Sequence, residues 1–309
     1  MTRYLLGRLA QSVVAVMGVM TIVFIVMRLS GDPTLLLVPE GATREQIDLL
    51  RHQLGFDRPM LVQFGDYLWT LTRFDLGHSI VQRLPVWQIV AERVPYTAWL
   101  ATSALALSLG LGLPVGVATA LWRGRFVERL LMPIVLVGQS MPTFWSGILL
   151  IMLFGVLLEW LPTSGADSAV SVIMPAVALG GLSMATFARI TRTAVIEELG
   201  KDYVRAIRAK GVARITVVLR HVLRNAAIPI VTIAALEIAN LLAGAVIVET
   251  VFAWPGMGQL AVQSIQSRDF LVVQAVVLLV SITYVALNFV ADVLYGVIDP
   301  RIKLAASLR

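Results

Sequence analysis

Residue types that carry covalent or metal chemistry are scarce in this 309-residue chain. It has no cysteine, which excludes disulfides, thiolate zinc clusters and thiol catalysis. Its histidines, His52, His78 and His221, are far apart in sequence and fall on opposite sides of the membrane predicted below, so they form no shared metal site. Ser140 and Ser146 have no base beside them to make a nucleophile. Gly200-Lys201 looks like the end of a phosphate-cradling loop, which requires Gly-x-x-x-x-Gly-Lys-Ser/Thr. Here Val195 stands at the first glycine and Asp202 at the hydroxyl. The chain is therefore expected to be no enzyme and to bind no cofactor of its own.

What remains is chemistry of docking and passage. The segment from Asp202 through Tyr203, Val204, Arg205, Ala206, Ile207, Arg208, Ala209 and Lys210 to Gly211 reads as a short helix. Asp202 is placed to cap it and Gly211 supplies a left-handed exit. Ala206 and Ala209, three apart, leave one face small enough to enter a groove on another protein. A basic loop lying on anionic head groups is the other reading of the same residues. Glu237 stands in an otherwise apolar run, where a carboxylate costs about 2.5–3.5 kcal/mol unless it faces protein or water. It is either a cavity-lining group or one side of a helix contact, with Asn240 one turn on. Met141, Phe144 and Trp145 flank Pro142, which can bend a helix and free a carbonyl, so they are either candidates to gate or line a path or ordinary lipid-facing and packing side chains.

These residues need elements to hold them, and composition says what kind. Hydrophobic residues make up 58% of the chain and charged ones 14%, against about 25% in an ordinary soluble domain. The net charge of +6 does not signal nucleic acid, because the basic residues fall in gaps between apolar runs. A crossing helix needs about 20 apolar residues, and backbone groups in lipid must pair within the segment. Six stretches meet this: Leu9–Met27, Pro95–Trp122, Leu130–Leu158, Val170–Ala188, Ala226–Val248 and Leu271–Ala291. The prediction is an all-α integral membrane protein with six transmembrane helices. Residues 1–29 hold the tail and first span and 95–309 the core of spans two to six. The basic loop 189–225 lies within that core.

Orientation follows from the links. Arg123, Arg125 and Arg129, the basic residues of 189–225, and Arg301, Lys303 and Arg309 all sit on one side, predicted cytoplasmic together with both termini. The near-neutral stretch 30–94 is predicted to be a small helical extracytoplasmic domain, serving as a lid or as a docking surface. It contains turn signals at Gly31-Asp32-Pro33 and Val38-Pro39-Glu40-Gly41, and a capping box at Thr43 and Gln46. Gly112 and Gly116 form a small-xxx-small pair that favours close packing of the second span.

Several pieces together carry a resemblance. Arg205-Ala206-Ile207, aligned on Gly211, stands where the cytoplasmic loop of ATP-binding-cassette (ABC) importer permeases has Glu-Ala-Ala, and shares the middle alanine. To it are added Leu54-Gly55-Phe56-Asp57-Arg58-Pro59, Asp75-Leu76-Gly77-His78-Ser79 and Ser140-Met141-Pro142-Thr143-Phe144-Trp145. Arg220-His221, Leu223-Arg224-Asn225-Ala226, the run from Glu249 to Gly258, and Asp299-Pro300-Arg301 complete the series. In this order they resemble the peptide/nickel permease family of binding-protein-dependent ABC importers, in the branch similar to the dipeptide permease B component.

The resemblance implies a type I importer permease fold in the bacterial cytoplasmic membrane, multi-pass. A second permease subunit would complete the pathway, two ATPase subunits carrying ATP and magnesium would bind below, and an extracytoplasmic solute-binding protein would deliver di- or oligopeptides. Residues 202–211 would then be the coupling helix. Trp254, Pro255 and Gly256, which read as an outer turn with an interfacial tryptophan, would be candidates for receiving the binding protein. Nickel and glutathione are alternative cargoes of the same family. An ion-coupled secondary transporter, in which Glu237 pairs with an ion near the midplane, is the alternative of another class.

Overall fold

The computed structural model describes residues 2–29, 34, 38, 42–53, 55–73 and 75–298. The Gly31-Asp32-Pro33 turn, Leu54, Asp299-Pro300-Arg301 and the basic residues Arg301, Lys303 and Arg309 lie outside the described residues. Among the described residues there is no strand, only one isolated bridge between His78 and Pro85. The helices are α1 (Thr2–Leu29), α2 (Arg44–Gln53), α3 (Met60–Thr72), α4 (Val86–Leu121), α5 (Phe126–Ser140) and α6 (Thr143–Leu157). They continue with α7 (Ala169–Leu199), α8 (Asp202–Ala209), α9 (Arg214–Val251), α10 (Met257–Gln266) and α11 (Phe270–Ile298). Five of these are long and apolar enough to cross a membrane, and the bent pair α5–α6 makes six where it counts as one crossing.

The sequence reads 130–158 as one span that Pro142 can bend, and the chain turns there by 108°, between Ser140 and Thr143. Met141 is extended (φ −85°, ψ 129°) and Pro142 opens the new helix. The residue before a proline is pushed out of helical conformation, and proline has no N–H to give the preceding turn. Pro133 and Pro229 sit inside α5 and α9 without such a break.

Residues fall into two compact units. The first, Tyr96–Pro255 with Ala286 onward, is organised around α7, 61% of whose most apolar window is buried. Side chains of α4, α7 and α9, including Leu100, Ala104, Leu179, Leu241 and Val248, form its main core together with Trp254 from the link after α9. The α4–α7 contact shows what the small-residue pattern is for. A Cβ on Gly112 would lie 2.8 Å from the Met184 carbonyl, and one on Gly116 2.6 Å from the Ala188 carbonyl. From the other side, a Cβ on Gly180 would meet the Ser108 hydroxyl at 2.6 Å. Ser108 uses that proximity to donate to the Gly180 carbonyl at 2.8 Å. Helices this close gain dispersion and interhelical hydrogen bonds, which drive association where lipid offers no hydrophobic gain.

The second unit holds residues 2–95 and 256–285. The capping box forms as its spacing implies. Thr43 N donates to Gln46 Oε1 at 3.0 Å, and Gln46 N to Thr43 Oγ1 at 3.4 Å. The Asp75–Ser79 motif becomes a latch. Asp75 Oδ1 accepts from Gly77 N at 2.8 Å, and Gly77 turns the chain with φ +75°, a conformation that favours glycine. Ser79 then donates to the buried carboxylate of Asp269, which also accepts from Ile80 N at 3.3 Å just ahead of α11.

Candidate functional site

The short helix forms where the sequence puts it, with a different start. Lys201 is the N-cap, without a side-chain cap bond, and Asp202 is the first helical residue. Its carboxylate pairs with Arg205 at 3.3 Å and sits where the helix dipole favours an anion. At the far end Gly211 takes φ +78° and donates to the Arg208 carbonyl at 2.9 Å.

The helix has two faces with different duties. Val204 is fully buried in a cluster with Ala120, Val195, Val217, Val222 and Ala226, and Tyr203 and Ile207 lean on the same cluster. These side chains seat α8 on its own chain, so Val204 offers nothing to a partner. Arg205, Ala206, Arg208, Ala209, Lys210 and Gly211 are exposed on the opposite side.

A polar clasp fixes that seat. The Tyr203 hydroxyl donates to Glu198 Oε2 at 2.7 Å, and Lys201 Nζ pairs with the other oxygen of the same carboxylate. Asn225 Nδ2 donates to the Tyr203 oxygen at 3.1 Å and to Glu198 Oε2 at 3.4 Å. Glu198 ends α7, Tyr203 is in α8 and Asn225 is in α9, so one carboxylate binds the short helix to both flanking spans. Burial, then the bond to Glu198, pushes the Tyr203 phenol above its usual value. The bond to Glu198 likewise raises Lys201. Two further ties hold this end: Arg192 reaches Glu128 of α5 at 2.9 Å, and Arg214 donates to the Leu121 carbonyl at 3.0 Å. Glu198 has no signature of its own in sequence, and Asn225 stands in the Leu223-Arg224-Asn225-Ala226 motif without any sign of its partner. A carboxylate three residues before Lys201 and five before Tyr203 was the available signal.

The pathway candidates do not form one cluster. Phe144 and Trp145 are exposed on α6 just past the break, with Met141 partly covered and Pro142 exposed. Glu237 accepts a 2.6 Å hydrogen bond from Ser183 of α7, a buried hydroxyl, while remaining partly exposed itself; Asn240 is exposed. The contact between α7 and α9 thus uses one carboxylate oxygen.

Trp254 corrects another expectation. It is fully buried rather than set in an exposed outer turn. Its indole Nε1 donates to the Tyr96 carbonyl at 3.0 Å and its ring lies 5.1 Å from Trp99. Its backbone N–H donates to the Glu249 carbonyl at 2.8 Å, and the Glu249 carboxylate accepts from Thr97 at 2.6 Å. An indole closed in by these groups is a core anchor. Gly256 is also buried and Pro255 partly so, leaving Ala253 exposed at the corner.

The family described as the binding-protein-dependent transport system inner membrane component matches residues 112–304, and its N-terminal companion matches residues 1–101. The chain belongs to this family. It is a multi-pass permease subunit of an ABC importer, and the ion-gradient carrier drops out as a reading. The glutathione transport system permease proteins GsiC of Escherichia coli and of Salmonella typhi are each 42% identical to it over 98% of this chain and 99% of theirs. An inward-facing structure of the MetNI methionine ABC transporter superposes with TM-score 0.57, covering 70% of this chain and 98% of that one, at 20% identity. That likeness is one of fold, the type I permease fold.

Proposed function

We propose that this chain forms one half of the membrane pathway of an importer for small peptides, tripeptides of the glutathione kind foremost. The observation that carries the substrate class is the end-to-end likeness to permeases named for glutathione transport. Glu237 and Asn240 support it chemically: a carboxylate and an amide one turn apart on α9 suit an ammonium group and a peptide backbone. The other half of the pathway is a related permease. A solute-binding protein delivers cargo from outside, and ATP with magnesium is held by two partner ATPases.

Helix α8 is the coupling element. Its inner face is committed to the chain's own core, and its outer face presents Ala206 and Ala209 between cations, a shape that enters a cleft on an ATPase. A nucleotide biases only states it contacts differently. The clasp through Glu198, Tyr203 and Asn225 passes a push on α8 to α7 and α9, the helices that carry Ser183 and Glu237. The arginine-rich links support a cytoplasmic position for this end and for both termini.

Uptake by cells lacking only this chain tests the reading, with labelled glutathione, a dipeptide, a tetrapeptide and nickel ions compared. Loss of glutathione and dipeptide uptake, restored by the intact gene but not by Ala206→Arg, is the expected result. Loss of nickel uptake alone overturns the substrate class. Full rescue by Ala206→Arg, with ATPase subunits still co-purifying, overturns the coupling assignment.

A further inference from the structure

Within the first unit, a hollow of about 410 Å³ opens on the seam between α7 and α9. Two contacts described above bracket it along both helices: Ser183 with Glu237 on one side, and Glu198 with Asn225 on the other. Its polar lining is Arg189, Thr193 and Glu197, and its apolar lining is Ile190, Ala194 and Pro229. The three polar residues stand four apart, so they follow one another along one face of α7. At about 1.5 Å per residue, Arg189 and Glu197 are about 12 Å apart along the helix axis. No ion pair joins them.

None of the three polar side chains is engaged elsewhere. All are exposed, and among the described residues none makes a hydrogen bond or an ion pair. The charges that could have claimed them are occupied. Arg192 reaches Glu128, and Lys201 Nζ pairs with Glu198, which leaves Glu197 a through-space attraction to that amine. The hollow therefore presents a cation at one end, a carboxylate at the other and a hydroxyl between them. A simple anion or cation would meet one like charge there. A molecule with an anion at one end and a cation at the other meets two opposite ones. An extended peptide advances about 3.3–3.6 Å per residue, so a tripeptide runs for about 10–11 Å and a dipeptide for about 7 Å. The tripeptide is the better match to two side chains about 12 Å apart on one helix face.

We infer that this hollow binds a short zwitterionic peptide, a tripeptide best, as it leaves the pathway proposed above, a reading on which the inference rests. Arg189 receives the carboxylate, Glu197 the ammonium group, and the Thr193 hydroxyl the backbone between them. The site lies between Glu237, the pathway carboxylate, and Glu198, the carboxylate of the clasp.

The chain has no cysteine, so Thr193→Cys puts its one thiol in the hollow, in place of a hydroxyl of similar size. The assembled importer, nucleotide-free in mild detergent and without binding protein, is treated with N-ethylmaleimide, and labelling of this chain is followed by intact mass. The probe is trialanine, compared with trialanine amide, which lacks the carboxylate, and N-acetyl-trialanine, which lacks the ammonium group. Trialanine is expected to slow labelling, with half-protection at roughly three- to fivefold lower concentration than either blocked peptide, the effect of one exposed charge pair at each end. Arg189→Gln removes the advantage over the amide and keeps that over the acetyl peptide, and Glu197→Gln does the reverse. Equal protection by all three peptides overturns the assignment of the two ends. Labelling that no peptide slows overturns the site, and a thiol that never labels overturns it in favour of a face covered by another subunit. Protection is read without transport, so it is independent of the uptake assay. Peptide uptake with no protection refutes this site alone, whereas protection with no peptide uptake refutes the pathway reading.

Discussion

Replacing Tyr203 by Phe removes one hydroxyl and leaves the ring in its cluster, so it isolates the clasp from the packing. The hydroxyl donates to Glu198 at 2.7 Å and accepts from Asn225 at 3.1 Å. A hydrogen bond to a charged group contributes about 1.5–3 kcal/mol, and the loss is largest where water cannot replace the partner. Glu198 is buried but Asn225 is exposed, so water recovers part of the loss and about 1–2 kcal/mol remains. At about 1.4 kcal/mol per tenfold, this makes opening of the 202–211 segment roughly 5–30 times more frequent. Hydrogen exchange in the assembled importer measures it directly, as faster exchange of the α8 amides at unchanged rates in the middle of α7. The control is Arg205→Ala. That ion pair with Asp202 has both side chains at least three-quarters exposed, and its removal changes exchange by less than about threefold. If Tyr203→Phe leaves α8 exchange unchanged, or Arg205→Ala raises it as much, the clasp does not hold the helix and the route from α8 into α7 and α9 fails with it.

Gly116→Ala places a methyl 2.6 Å from the Ala188 carbonyl and forces α4 and α7 apart, lowering stability by about 1–3 kcal/mol. Gly110→Ala, with open space around its Cβ, is neutral, and thermal inactivation of the purified complex separates the two. At Gly211 a side chain meets nothing within 4 Å, so backbone strain alone decides. Gly211→Asn keeps uptake near normal, whereas Gly211→Val costs about 1–3 kcal/mol and lowers uptake and ATPase co-purification together. Tyr67, pushed by burial from 10.0 to about 12, stays protonated in the folded state after an unfolded chain has ionised. Its contribution is complete below pH 10 and is lost as pH rises through about 12, so phenolate absorbance appears later in the intact protein than in the denatured one.

The sequence by itself determined the helices, because an apolar run long enough to span lipid has one way to pair its backbone. It also placed the capping box at Thr43 and Gln46, the tight approach at Gly112 and Gly116, and the glycine exit at 211. Each of those is local, set by residues within a few positions or by the absence of a side chain. Tertiary structure decided the rest. Pro142 announced a bend, but 108° depends on where α6 comes to rest, with Gly147 against Phe252. Asp202 looked like a cap because Asp caps often, whereas Lys201 takes the position while its amine is drawn to Glu198. Trp254 looked interfacial because tryptophans in outer turns often are. Trp99 and the Tyr96 carbonyl, more than 150 residues earlier, bury it instead. Glu198, Asn225 and Ser183 gained their roles the same way. A hydrogen bond between distant residues leaves no period or spacing along the chain, since it exists only once packing has brought its two ends together.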